Sequence, residues 1–227
     1  MPILPLLALL ASPLRAAPPQ IASVHQEHAE RFGPGPRLPR THRATAPLPG
    51  LPDVTVYGYL PYWVDDVTDE ELEGLTHLAV FDVGLNSDGS LNSTSNWTSV
   101  AGSLVSRAHA IGVKVHLTLV CFDDDTMGAV LASSSRRATA ISELASLVSA
   151  YGGDGVNVDF EGLPSAQKSN FVTFVQELAA AVDEVYLAMP AVDWSGAYDY
   201  DQLANASDGL FIMGYDYHWS GGDPGPV

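Results

Sequence analysis

Asn157, Asp159 and Glu161 stand at alternate positions in the run Asp154-Gly155-Val156-Asn157-Val158-Asp159-Phe160-Glu161-Gly162. On a β-strand, residues two apart share a face, so these three polar side chains point together, away from Val156, Val158 and Phe160. Three polar groups on one inward line are costly to bury. Desolvation and mutual repulsion keep one proton on a close carboxyl pair near neutral pH. A protonated carboxyl beside an ionised one is suited to protonating a poor leaving-group oxygen, such as that of a glycosidic bond. For these residues alone the competing reading is a strand-end acidic cluster that caps the next helix or holds a cation.

Strands must position these groups, and the chain supplies them in alternation with helices. Short apolar runs rich in β-branched and aromatic residues occur at 54–60, 77–85, 113–120, 155–160, 185–189 and 209–213. Helical periodicity links Trp97, Val100, Leu104, Ala108 and Ile111, then Ala138, Ile141, Leu144 and Val148, then Phe171, Phe174, Val175, Leu178 and Val182. Thr68 and Glu71 have capping-box spacing and predict a short helix there. Strand–helix repetition without hairpin signals predicts parallel strands joined by right-handed crossovers.

A nucleotide-binding doubly wound sheet carries a Gly-rich turn after its first strand. Here that place holds Tyr59-Leu60-Pro61-Tyr62-Trp63, which cannot cradle a phosphate. The expected fold is therefore α/β, a (β/α)8 TIM barrel. Barrel sites gather at the C-terminal ends of the strands. There the sequence places Tyr62, Trp63, Asp82, Asp123 to Asp125, Asp159, Glu161, Asp193, Trp194 and the stretch from Tyr215 to Trp219. Six strands are legible where a barrel of about 250 residues has eight, so the barrel is expected to be truncated after the sixth.

With 227 residues and 46% hydrophobic content, the chain can bury one sizeable core. A net charge of −17, from 10 basic and 27 acidic residues, disfavours nucleic acid and anionic membranes as partners. Cys121 is the single cysteine, which excludes an intrachain disulfide and a thiolate metal site. Residues 1–17 read as a signal peptide, with an apolar run too short to span a bilayer and small residues after it, although no Lys or Arg precedes the run. Residues 18–52 are Pro-rich and lack periodicity, as in a disordered linker, and 53–227 form the barrel domain.

The run from Asp154 to Glu161 resembles the DGxxxDxE signature of glycoside hydrolase family 18, the chitinase family. The resemblance extends to Tyr57-Gly58-Tyr59-Leu60-Pro61-Tyr62-Trp63, to Leu187-Ala188-Met189-Pro190-Ala191 and to Met213-Gly214-Tyr215-Asp216-Tyr217. Where the family more usually has Asp, this chain has Asn157, a variant similar to a bacterial subgroup that includes cell-wall and spore-cortex hydrolases. Asn can hydrogen-bond Asp159 but cannot share its charge or take its proton.

The resemblance implies a substrate-assisted retaining mechanism. Glu161 would protonate the glycosidic oxygen, and the 2-acetamido carbonyl of the sugar would attack its own anomeric carbon. Asp159 would orient the acetamido group and stabilise charge on its nitrogen, as the only nearby negative charge, with Asn157 beside it. Tyr215 would hydrogen-bond the acetamido oxygen, supported by Asp216. Tyr59 and Met189 belong to the same implied site. The implied partner is a neutral polysaccharide, either chitin or peptidoglycan glycan. No cofactor, metal or membrane span is implied, and the expected form is a secreted monomer. A non-catalytic sugar-binding relative would typically have lost the acid, so retention of Glu161 favours hydrolysis.

Trp63, Trp194, Tyr217 and Trp219 are candidate sugar platforms, since a ring offers an apolar face to a pyranose; core packing is the competing reading for each. His77 and His116 lie in strand patterns without ligand spacing and are expected to be structural, not metal-binding. Cys121 is expected to be a small buried hydrophobe, and Asp123 to Asp125 a solvated acidic loop rather than a cation site.

Overall fold

The alternation of strand and helix predicted from hydropathy is the architecture observed. The computed structural model describes residues 54–64 and 66–215. In chain order the elements are β1 (Tyr57–Leu60), α1 (Asp69–Leu72), β2 (His77–Leu85), β3 (Leu91–Asn92), α2 (Ser95–Thr98), α3 (Ala101–Ala110), β4 (Lys114–Cys121) and α4 (Asp124–Leu131). They continue with α5 (Ser134–Tyr151), β5 (Gly155–Phe160), a 3-10 turn (Ser165–Gln167), α6 (Lys168–Ala179), β6 (Glu184–Pro190), α7 (Tyr200–Ala206) and β7 (Gly209–Met213). The expectations for residues 1–17 and 18–52, and for Asp216, Tyr217 and Trp219, lie outside the described residues.

The sheet order is β1-β2-β4-β5-β6-β7, and every neighbouring pair is parallel. β3, which the sequence pattern does not reveal, is a two-residue antiparallel appendage on the end of β2. The register pairs Leu117 with Val156, and Val156 with Val185, so the outward apolar residues of three strands share one layer. Val115, Leu117, Leu119, Val156, Val158, Phe160, Val185, Leu187 and Met189 are all buried in that layer. Phe160 stacks on Phe171 and Phe174 of α6 with centroids 5.6 and 5.8 Å apart. Truncating a phenylalanine in such a layer costs about 3–5 kcal/mol.

On the opposite face, aromatic rings meet across the lumen. Tyr57 of β1 lies 5.1 Å from Tyr186 of β6 and 6.0 Å from Phe211 of β7, and Tyr59 lies 5.2 Å from Phe211. These contacts join strands far apart in the sheet order, so the sheet is curled into a half-barrel with its helices outside. Six parallel strands of the (β/α)8 class are therefore formed by the described residues.

Side chains fix the helix ends. Thr68 and Glu71 make the predicted capping box on α1. Gly152, at φ +70°, ends α5 in the left-handed region that favours glycine. Arg137 on α5 donates two hydrogen bonds to Glu177 on α6, at 2.7 and 3.0 Å, and a third to the Leu131 carbonyl at the end of α4, at 2.6 Å. One guanidinium thereby ties three helices together.

Several elements differ from the sequence expectation. β1 starts at Tyr57 because Val54 and Val56 are exposed. The 97–111 periodicity is divided between α2 and α3, which meet at Ser99 and Val100. The Asp123 to Asp125 run is no loop: Asp123 caps α4 by accepting from the Thr126 N–H at 2.8 Å, and Asp124 and Asp125 lie in the first turn, where acidic groups suit the helix dipole. The same device starts α7, where Asp199 accepts from Gln202 N–H.

Candidate active site

β5 delivers Asn157 and Asp159 to the lumen as the alternation requires, and Glu161 follows at its C-terminal end. Asn157 is opposite Thr118 in register and Asp159 opposite Val120. Asn157 and Asp159 are buried, while Glu161 is half-buried at the rim. The backbone N–H of Glu161 donates to the Cys121 carbonyl at 3.2 Å, so the acid is held by the end of β4.

Burial drives the Asp159 carboxyl well above the usual range, and the neighbouring charges of Glu161 and then Asp82 push it in the same direction. Asp159 therefore retains a proton where an exposed aspartate would have lost it. Asp159 Oδ1, Asn157 Nδ2 and Thr118 Oγ1 are buried without a hydrogen-bond partner in the protein. Buried polar atoms of this kind are costly unless something else satisfies them. Three of them on the neighbouring strands β4 and β5, with Thr118 facing Asn157, give the lumen a directional polar lining.

Two expectations about these residues are corrected. The bond that an asparagine at 157 could make to Asp159 is not formed, because Asn157 Nδ2 has no partner and its Oδ1 accepts from the Tyr59 hydroxyl at 3.2 Å. Nor is Asp159 the only acidic group in reach apart from Glu161. The register of β2 on β4 slips by one residue between Val80 and Val83, a bulge that re-aims the side chains of Phe81 and Asp82. Asp82 is half-buried, accepts from Asn96 Nδ2 at 3.0 Å and acts electrostatically on Asp159. Burial raises the Asp82 carboxyl, partly offset by the Asn96 bond.

The turn that carries Glu161 is braced by a residue that sequence reasoning missed. Tyr198 donates its hydroxyl to the Phe160 carbonyl at 2.6 Å and accepts from the Leu163 N–H at 3.4 Å. Asp193 holds Tyr198 in turn by accepting from its N–H at 2.9 Å and from the Ser195 hydroxyl at 2.9 Å. Burial alone would raise the Asp193 carboxyl, but these donors outweigh it and hold it below its ordinary range. Gly162, at φ +75°, supplies the left-handed residue that turns the chain out of β5.

The remaining rim residues are spread. Tyr59 lies in the lumen, where burial pushes its phenol up and keeps it a donor. Trp63 is half-buried and packs edge-on against Tyr62 at 4.9 Å. Trp194 is 92% exposed, which removes core packing as its role. Tyr215 is exposed and close enough to Tyr59 to act on it electrostatically. Met189 is not on the rim. It shares the parity of Val185 and Leu187 and is fully buried in the outer core, while Tyr186 has the inward parity. Cys121 is buried at the end of β4, as expected, and burial pushes its thiol up to about 11. A depression of about 290 Å³ between α5 and α6, lined by Ser134, Ile141 and Glu177 among others, lies on the outer helical layer away from the acids.

A curled parallel sheet with an acid pair at the C-terminal end of one strand places the candidate site where (β/α)8 barrels carry theirs. The model of the family described as Glycosyl hydrolases family 18 matches residues 55–226, and the chain belongs to that family. YdhD of Bacillus subtilis, which bears the name of a sporulation-specific glycosylase, is 26% identical over 160 residues, 66% of this chain and 38% of YdhD. The structure of Group II chitinase catalytic domain 2 from Ostrinia furnacalis in complex with (NAG)5 superposes with a TM-score of 0.62 at 24% identity. That alignment covers 72% of this chain and 51% of that one. The spore cortex-lytic enzyme SleL of Bacillus cereus superposes with a TM-score of 0.60 at 19% identity, covering 67% of this chain and 38% of that one. At these identities the two structures attest the fold. The chain spans between 38% and 51% of the length of these three relatives.

Proposed function

We propose that this chain carries the catalytic acid of a secreted glycosidase that hydrolyses β-1,4 bonds in N-acetylglucosamine-containing polysaccharide, chitin or chito-oligosaccharides, by substrate-assisted retention. The observation that carries this reading is the pair at the end of β5, a half-buried Glu161 at the rim beside a buried, proton-retaining Asp159. With substrate bound, the one proton that the free pair keeps on Asp159 passes to Glu161, which gives it to the leaving glycosidic oxygen and leaves Asp159 ionised. The substrate's acetamido oxygen attacks the anomeric carbon to form an oxazolinium ion, so no protein nucleophile is needed. Asp159 orients the acetamido N–H and balances the charge that develops there. Glu161 then takes a proton from the water that opens the oxazolinium. Tyr215, with Asp216, holds the acetamido oxygen, and Trp63, Trp194, Tyr217 and Trp219 offer ring faces to the sugars. A fold relative solved with (NAG)5 supports an N-acetylated glycan as ligand. Residues 1–17 serve export, and the protein acts as a monomer without a cofactor.

Two of the relatives favour a second reading, action on peptidoglycan or spore cortex. One is named for a sporulation-specific glycosylase and the other for a spore cortex-lytic enzyme. The neutral Asn157 is in keeping with it.

The test is Glu161→Gln in the full-length protein, with turnover and affinity measured on chito-oligosaccharides and on muropeptide glycan strands. The amide keeps the shape but has no acidic proton to give. Turnover should fall by about 100-fold or more while affinity stays near wild type. Retention of more than about a tenth of turnover would mean that Glu161 is not the acid. The glycan cleaved faster by the wild type decides between the two substrates.

A further inference from the structure

A second polar cluster lies at the opposite end of the barrel, where the strands begin. His77 opens β2, His116 is near the start of β4 and Glu184 opens β6. Nε2 of His77 is 3.2 Å and Nε2 of His116 is 3.1 Å from the same oxygen, Glu184 Oε2. The three ligand atoms lie within 4.8 Å of one another. Metal–nitrogen and metal–oxygen bonds of roughly 2.1 Å at a tetrahedral angle place ligands about 3.4 Å apart, so the two nitrogen–oxygen distances are already within a few tenths of an ångström of a zinc shell.

The surroundings fit that use. His77 Nδ1 is 2.9 Å from Thr76 Oγ1, and His116 Nδ1 is 2.9 Å from the Tyr57 hydroxyl. A hydroxyl can accept as well as donate, so each ring can place its hydrogen on Nδ1 and turn a bare Nε2 toward Glu184. Such outer partners orient metal-binding histidines. The Thr76 hydroxyl also contacts the Val56 carbonyl at 3.0 Å, a site for its hydrogen that leaves a lone pair for His77 Nδ1–H. Between β4 and β6, the lumen position on β5 is Gly155. A Cβ there would come within 2.3 Å of the Glu184 carbonyl oxygen and 2.9 Å of its Cβ, so only glycine lets Glu184 sit so close against β5. One feature opposes a cation: Lys114 donates to the other oxygen, Glu184 Oε1, leaving Oε2 to the two rings.

We propose that His77 Nε2, His116 Nε2 and Glu184 Oε2 form a three-ligand site for a divalent transition metal of the zinc class, clamping β2, β4 and β6 at the base of the barrel. Imidazole and carboxylate donors suit such ions, and three protein ligands leave a fourth position for water.

The test is direct metal binding to the full chain after chelator treatment, independent of any glycosidase activity. Zn²⁺ is titrated by calorimetry and Co²⁺ by visible absorption. The expected results are one saturable equivalent, ligand-field bands of a four- or five-coordinate Co²⁺ site and a higher melting temperature with Zn²⁺. Glu184→Gln and His77→Gln should each weaken binding by at least about tenfold. Lys114→Met should tighten it, a gain that misfolding cannot mimic. Replacing His25, His28, His42 and His218 together should leave the affinity unchanged. Absence of saturable binding at micromolar Zn²⁺ overturns the proposal. So does an affinity indifferent to Glu184→Gln and His77→Gln in variants with native circular dichroism. If those variants fail to fold, the Co²⁺ spectrum and the Lys114→Met arm decide.

Discussion

The Tyr59 hydroxyl donates to Asn157 Oδ1 at 3.2 Å, joining β1 to β5 across the lumen between residues 98 positions apart in the chain. This bond sets which end of the Asn157 amide faces the acids: the oxygen is taken, and the NH2 group is left toward the interior. Where a carboxylate would offer a second negative oxygen, this chain offers a donor. Tyr59→Phe should leave Asn157 Oδ1 buried and unsatisfied and cost about 1–3 kcal/mol of stability. Denaturant unfolding of the two proteins checks the value.

The three carboxyl groups around the site predict opposite responses to two substitutions. Asp82→Asn removes a charge that pushes the Asp159 carboxyl up, so Asp159 should titrate at lower pH than in wild type. Asn157→Asp adds a carboxyl beside it and should move the titration upward. Carboxyl-carbon NMR of Asp159 reads both shifts, and the acidic side of the kcat profile should move with them. Shifts in the same direction for both variants would contradict this electrostatic account.

Stability and turnover should part at Asp159. Its folded value is raised above the ordinary value near 3.9, so the folded state binds the proton more tightly than the unfolded state. The resulting stabilisation is fully present below that ordinary value and is lost as pH rises through the folded value. Asparagine does not titrate. Asp159→Asn should therefore flatten the decline of melting temperature toward alkaline pH while lowering turnover. Melting curves across pH, set beside initial rates, test both halves.

Tyr198 braces the turn that carries Glu161, which under the proposed function makes it a positioning residue. Tyr198→Phe removes the donor to the Phe160 carbonyl and the acceptor of Leu163 N–H, at a stability cost of about 1–3 kcal/mol. Since the turn it braces carries the proposed acid, kcat should fall more than KM changes. A variant that only unsettled the fold would lower the active fraction and leave the pH profile in place; loosened positioning of Glu161 should alter that profile.

Cys121 should be nearly inert in the folded protein. With its thiol buried and raised to about 11, the thiolate is scarce at neutral pH. Alkylation at pH 8 should be slow natively and rapid in denaturant. Fast native modification would indicate that the end of β4 opens.

Much of this arrangement is legible in the chain because β-strand parity is strict. The parity of Asn157 and Asp159 fixed their face, and the runs at 77–85, 155–160 and 209–213 coincide with β2, β5 and β7. Met189 escaped because its assignment followed resemblance; the same parity rule, carried from Val156 through its partner Val185, puts it outside. Helices α4 and α7 are short and begin with aspartates that also mark loops, so their caps concealed them. Asp82 depended on a bulge, and Tyr198 on a fold of the chain back to Phe160, neither of which leaves a local signal. The His77, His116 and Glu184 cluster draws on three strands whose residues are too far apart in sequence to show ligand spacing.

The sheet order repeats the order of synthesis, from β1 to β7, with only the β3 appendage off the path. Each new strand can therefore dock on an edge already made, one strand and its crossover at a time, while the ribosome is still feeding out the next. The cost is that the newest strand is always an unpaired parallel edge, open to a neighbouring nascent chain until its successor arrives. Pauses in translation after β4 has left the ribosome and before β5 follows it would hold open the edge next to which the acids must be laid, and slow decoding at that stage should favour aggregation over assembly.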